Sequence, residues 1–100
     1  MAIMKDRIVL ITGATRGLGF AIAENFTQGG ARVALNYAHD DVIAKSAKER
    51  LSAQGNVELF KADALSEDGV ESLVTSVRDK WGEIDTVVLN ATPIQYEKTI

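Results

Sequence analysis

Apolar and polar residues change rhythm several times along the chain. Arg7–Thr12 (RIVLIT) is a nearly continuous, β-branched run, the form taken by a strand buried on both faces. Gly13–Gly19 follows as a glycine-rich turn. Leu18, Ile22 and Phe26 then recur at a four-residue interval, which predicts one face of a helix, and Gly29 and Gly30 punctuate its end. Ala31–Asn36 (ARVALN) predicts a second strand. Asp40 or Asp41 is placed to cap the next helix, whose apolar face carries Ile43, Ala47 and Leu51 before Gly55 ends it. Asn56–Phe60 (NVELF) predicts a third strand. Ser66 suits the N-cap of a third helix, with Glu67 and Asp68 favourably placed against its dipole. Val70, Leu73, Val74, Val77 and Trp81 form that helix's stripe, and Gly82 stops it. Ile84–Leu89 (IDTVVL) predicts a fourth buried strand. Thr92–Ile100 shows no strong period and contains Pro93.

The order is strand–helix three times, then a strand. Each connection holds a helix long enough for a right-handed crossover between parallel strands. This is the doubly wound α/β pattern, with an expected strand order of 3-2-1-4. In that order the fourth strand is a bare hydrophobic edge, which complete proteins usually avoid. The expectation is therefore that residues 1–100 are the N-terminal part of one larger domain, or that a partner covers the edge. No repeat, linker or low-complexity tract is visible.

Composition narrows the chemistry. The 100 residues carry 11 Lys and Arg against 14 Asp and Glu, a net charge of −3, with a pI near 5.0. A general nucleic-acid surface is not expected from that balance. With no cysteine, disulfides, thiolate metal sites and a thiol nucleophile drop out together, and the single histidine, His39, rules out a multi-histidine metal site. The apolar run Ile8–Ile11 is too short for a signal peptide or a membrane span, so a cytoplasmic protein with no membrane association is the simplest expectation.

The candidate chemistry lies in Thr12–Gly19 (TGATRGLG). Its glycines follow a strand and open a helix, which is the context such a motif needs. Gly13 suits a tight exit from the strand. Gly17 removes a Cβ where a diphosphate would approach the backbone, and Gly19 allows the helix to pack closely on the sheet. The free N–H groups and dipole of the helix start favour an anion. A glycine-rich turn without a ligand is the plain alternative. A nucleotide-triphosphate loop is excluded, since no Gly-Lys-Ser/Thr occurs.

Thr12–Gly19 resembles the TGxxxGxG fingerprint of the short-chain dehydrogenase/reductases, a group of Rossmann-fold oxidoreductases. The resemblance covers essentially the whole chain. It places Gly13, Thr15, Arg16, Gly17, Leu18 and Gly19 at the cofactor phosphates and Asn36, Tyr37 and Ala38 at the end of the second strand. It places Asp63, with Ala64 beside it, at the adenine. Asp85–Thr92 (DTVVLNAT) resembles the family's strand ending in NNAG: Asn90 and Ala91 match, while Leu89 and Thr92 depart from it. Among members the chain looks most like the 3-oxoacyl-[acyl-carrier-protein] reductase type, on TGATRGLG and on LNYA at the second strand's end. The resemblance implies a homo-oligomer, dimer or tetramer, and a small carbonyl or alcohol substrate.

The choice of dinucleotide turns on the second strand's end. NAD sites usually carry a carboxylate there to hold the ribose 2′-hydroxyl. Counting from Gly17, the residue is Asn36, which has no charge to repel a 2′-phosphate. Arg16 in the turn offers a guanidinium suited to one. Together they favour NADP(H), although Arg16 also reads as a solvated surface residue. Asp40 and Asp41 lie near enough in sequence to keep NAD open.

Other residues have bland readings. His39 reads as a loop residue, Trp81 as core, Asp85 as a cap on the fourth strand. Asn90 reads equally well as a tie for the strand end, and Asp63 as a turn carboxylate. Neither Tyr37 nor Tyr96 is followed four residues later by lysine, so neither reproduces the family's Tyr-x-x-x-Lys acid/base pair. No catalytic residue is expected within 1–100. Two functions stay open: an NADP-dependent oxidoreductase whose cofactor half this is, or a dinucleotide-binding module that senses without turnover.

Overall fold

A computed structural model describes residues 4–90. Among them the elements are β1 (Ile8–Ile11), α1 (Gly17–Gln28), β2 (Arg32–Tyr37), α2 (Asp41–Ser52), β3 (Asn56–Lys61), α3 (Glu67–Trp81) and β4 (Thr86–Val88). The four strands form one parallel sheet in the order β3-β2-β1-β4. This is the Rossmann-type, doubly wound arrangement. Its order reverses between β1, which leads to β2 on one side, and β4 on the other.

The two faces of the sheet are covered by different helices. Val9, Ile11, Val33, Leu35 and Val57 point into one core, closed by Ala23 of α1 and Leu51 of α2. Ile8, Leu10 and Ala34 point into the other, closed by Leu73 and Val77 of α3. Successive residues of β1 thus serve opposite cores, and all four are buried. That is why the run reads as continuously apolar. Trp81 belongs to the second core, packed edge-on to Phe60 at 6.2 Å.

Two details differ from the pattern-based expectation. The buried stripe of α1 is Gly19, Ala23 and Thr27, one position along from the Leu18, Ile22 and Phe26 row; Leu18 is 69% exposed. Small residues win that face because the helix lies almost against the sheet, leaving larger side chains to wedge in from its sides. The fourth strand is also shorter than Ile84–Leu89 and is not buried on both faces: Val87 is 49% exposed and Leu89 80%. As an edge strand it has a described neighbour, β1, on one side only.

Asp85 fastens the start of β4 to the centre of the sheet. Its carboxylate accepts from the Ile8 N–H at 2.8 Å, and its own N–H donates to the Ile8 carbonyl at 2.8 Å. Among the described residues no helix is long and apolar enough to cross a membrane, and no cluster of acidic, histidine or cysteine side chains is built to hold a metal.

Candidate functional site

The C-terminal ends of β1, β2 and β4 meet at the glycine turn, the position where open α/β sheets bind ligands. Gly13 and Gly17 both adopt positive φ, 60° and 61°. A Cβ built on Gly17 would meet nothing within 4 Å, so the turn is open to solvent at that point. A Cβ on Gly19 would lie 2.1 Å from the Gly13 carbonyl oxygen and 2.6 Å from Nδ2 of Asn90. The first glycine keeps an approach to the backbone clear, and the second lets α1 close on the strand it follows.

The helix starts are not alike. Asp40 caps α2 by accepting from the Ile43 N–H at 3.0 Å, and Ser66 caps α3 by accepting from the Gly69 N–H at 2.9 Å. The first turn of α1 has no side-chain cap and no acidic residue. Its N–H groups and the positive end of its dipole are left for whatever occupies the space beside Gly17. Thr15, Arg16 and Leu18 flank that space; Arg16 and Leu18 are exposed.

Asn36 lies beneath the turn, bonded to it and turned away from the solvent beside it. Its side chain is buried, 2% exposed. Oδ1 accepts from the Gly13 N–H at 3.3 Å, while Nδ2 donates to the carbonyls of Phe60 (3.2 Å) and Ala62 (3.1 Å). Its backbone carbonyl takes the Ala14 N–H at 2.9 Å. Asn36 therefore shapes the site by fixing the turn to the ends of β2 and β3. The positions facing solvent at this strand end are the next ones, half-buried Tyr37 and exposed Ala38 and His39.

Both carboxylates beyond them are engaged. Asp40 is the cap just described. Asp41 accepts from the Tyr37 hydroxyl at 2.8 Å and pairs with Lys61 at 3.2 Å. These contacts, the tyrosine's first, hold the Asp41 carboxyl below its ordinary range. The same hydrogen bond holds the Tyr37 hydroxyl above its ordinary value, so Tyr37 stays protonated as a donor.

On the other side, Asn90 ties β4 to the turn. Its Nδ2 donates to the Gly13 carbonyl at 3.1 Å and its N–H to Thr12 Oγ1 at 2.8 Å. Thr12, which opens the motif, is the hub that pattern-reading passes over, since its role depends on a partner 78 residues away. Asp63 follows β3 on the surface, its Oδ1 accepting from the Leu65 N–H at 2.9 Å and its carbonyl packed against Gly69; Ala64 beside it is half-buried. Ala91 lies outside the described residues. Beside the turn a cavity of about 410 Å³ separates α1 from α2, lined by Thr15, Arg16, Gly17 and Phe20 on one side and Ser46 and Arg50 on the other.

Comparison with known proteins agrees with this geometry. The short chain dehydrogenase family model matches residues 7–99. The chain is 34% identical over 88 residues to an NADP-dependent (R)-specific alcohol dehydrogenase of Lentilactobacillus kefiri, covering 88% of this chain and 34% of that protein. It is 35% identical over 92 residues to an L-rhamnose 1-dehydrogenase (NAD(P)(+)) of a Sphingomonas species, covering 91% and 36%. A short-chain dehydrogenase/reductase from Serratia marcescens superposes with a TM-score of 0.85 at 27% identity, over 90% of this chain and 37% of that one. The chain thus spans about a third of the length of these relatives.

Proposed function

The chain belongs to the short chain dehydrogenase family, and we propose that it forms the cofactor-binding part of an NADP(H)-dependent oxidoreductase acting on a carbonyl or secondary alcohol. The observation that carries this reading is the uncapped start of α1 beside Gly17, an opening bordered by peptide N–H groups with no acid in the first turn. A pyrophosphate fits that chemistry: it takes hydrogen bonds from the bare amides and gains from the helix dipole. The nicotinamide, when bound, supplies the hydride chemistry. This chain's own residues do the holding. The Gly13–Gly19 turn would seat the phosphates, Asn36 and Asn90 brace it from two strand ends, and Asp63 and Ala64 would border the adenine. Tyr37 and Ala38 would border the ribose side, and Ala91 is assigned to the cofactor on the sequence resemblance alone.

NADP(H) is favoured over NAD(H) by three features. Asn36 carries no charge, Asp40 and Asp41 are taken up by a cap and an ion pair, and Arg16 has no carboxylate partner among the described residues. Arg16→Ala in the full-length protein should weaken NADPH by about 1.5–3 kcal/mol, roughly ten- to a hundredfold, and leave NADH nearly unchanged. A titration with both cofactors checks this, and equal losses would remove the assignment. The relatives named above are dehydrogenases, which supports turnover over a binding-only module. We place the 3-oxoacyl thioester class first among substrates, on Thr12–Gly19 and Leu35–Ala38. NADPH consumption with a 3-oxoacyl thioester against simple ketones tests that order. A soluble homo-oligomer in the cytoplasm is part of the same proposal.

A further inference from the structure

We infer that the groove between α1 and α2 is a phosphate-monoester pocket, in which Arg50 joins Arg16 in holding the 2′-phosphate of NADP(H). The inference rests on the dinucleotide reading above and adds a specificity-determining residue from a helix that reading does not use.

Arg16 and Arg50 line the same cavity, one from the glycine turn and one from the third turn of α2. No Asp or Glu lines it. Acidic residues outnumber basic ones in this chain, 14 to 11, yet neither guanidinium has an ion pair or hydrogen bond among the described residues. Two cations that share a concavity and lack a counter-charge repel each other, and a dianion between them relieves that repulsion. Arg50 is also held in place. Its guanidinium carbon lies over the Phe20 ring, 4.4 Å from the ring centre, a cation–π contact. With no hydrogen bond or ion pair to a described residue, the N–H donors of Arg50 are left for a forked acceptor such as a phosphate. Ser46 adds a hydroxyl to the wall, and Val42 and Ile43 make part of it apolar. Thr15 and Gly17 belong both to this cavity and to the turn, so the groove is continuous with the pyrophosphate position.

The test is a set of titrations on the full-length protein, using NADPH, NADH, 2′,5′-ADP and 5′-AMP. Arg50→Gln should weaken NADPH and 2′,5′-ADP about tenfold, with less than a twofold change for NADH and 5′-AMP. Phe20→Leu should give a smaller loss with the same selectivity, because the guanidinium loses its platform. Arg50→Lys keeps the charge without the planar fork and should fall between wild type and Arg50→Gln; it carries the test if the glutamine variant does not fold. Inorganic phosphate should compete with 2′,5′-ADP in the wild type and lose that advantage in Arg50→Gln. Equal losses for NADPH and NADH, or no loss for either, would overturn the pocket. If Arg16→Ala still weakens NADPH selectively while Arg50→Gln does nothing, the pocket alone is wrong. A wild type that binds neither dinucleotide overturns both readings.

Discussion

At the scale of single residues, Asn36 shows how far a position can be right while its role is not visible. Counting along the chain from the glycine turn reaches it as the residue that would discriminate between cofactors. In the fold its amide is spent on the Gly13 N–H and on the carbonyls of Phe60 and Ala62, and it is buried. On the proposed function, cofactor preference at this strand end would fall to exposed neighbours and to Arg16. Asn36→Ala should cost about 1–3 kcal/mol in a denaturant melt, because buried carbonyls lose their donor. Asn36→Asp should not convert the protein to NADH. It places a carboxylate against two carbonyl oxygens, so its melting temperature should be low at neutral pH and recover as acid protonates the group. A clean gain of NADH binding with unchanged stability would contradict this account.

At the scale of elements, local chemistry and tertiary packing contributed differently. The start of α3 was legible, and that of α2 to within Asp40 or Asp41, because short polar side chains such as Asp40 and Ser66 reach a backbone N–H within their own turn. The two central strands, β1 and β2, were legible because burial on both faces leaves largely apolar runs. The inward face of α1 was not, since Gly19, Ala23 and Thr27 carry less hydrophobic weight than Leu18, Ile22 and Phe26. Only the close approach to the strand selects them. Two glycines in this helix should accordingly respond differently to alanine. Gly19→Ala drives a methyl into the Gly13 carbonyl, so it should destabilise the fold strongly and abolish dinucleotide binding. Gly17→Ala meets nothing and suffers mainly from its positive φ, a loss of about 1–2 kcal/mol. Paired melts and NADPH titrations separate the two, and a reversed ranking would mean that α1 is not seated as described.

At the scale of the whole molecule, the two helical layers meet at the β3 edge of the sheet through Glu58. It accepts from Lys48 of α2 at 2.6 Å and lies 3.6 Å from Lys80 of α3. The Lys48 hydrogen bond is the main reason its carboxyl sits below the ordinary value of 4.5, with the Coulomb attraction of both lysines adding to it. A carboxylate lowered by folding stabilises the native state above that ordinary value, and the gain fades as pH falls through the lowered one. Because the pair is partly exposed, the gain is about 0.5 kcal/mol. Glu58→Gln should therefore be slightly less stable than wild type at pH 7 and equal to it in strong acid, as urea melts across pH would report. What the sequence determined by itself was the alternation of strand and helix, the glycine turn at the first crossover, the cap of α3 and the start of α2 to within one residue, because each depends on residues within a turn or on a periodic pattern. What only the tertiary structure decided was which face of α1 is inward, that Asn36 braces the turn, that Thr12 and Asn90 close it from β4, and that Arg16 and Arg50 share one groove. Those facts join positions tens of residues apart, and a linear pattern holds no distance between them until crossovers bring the strand ends together.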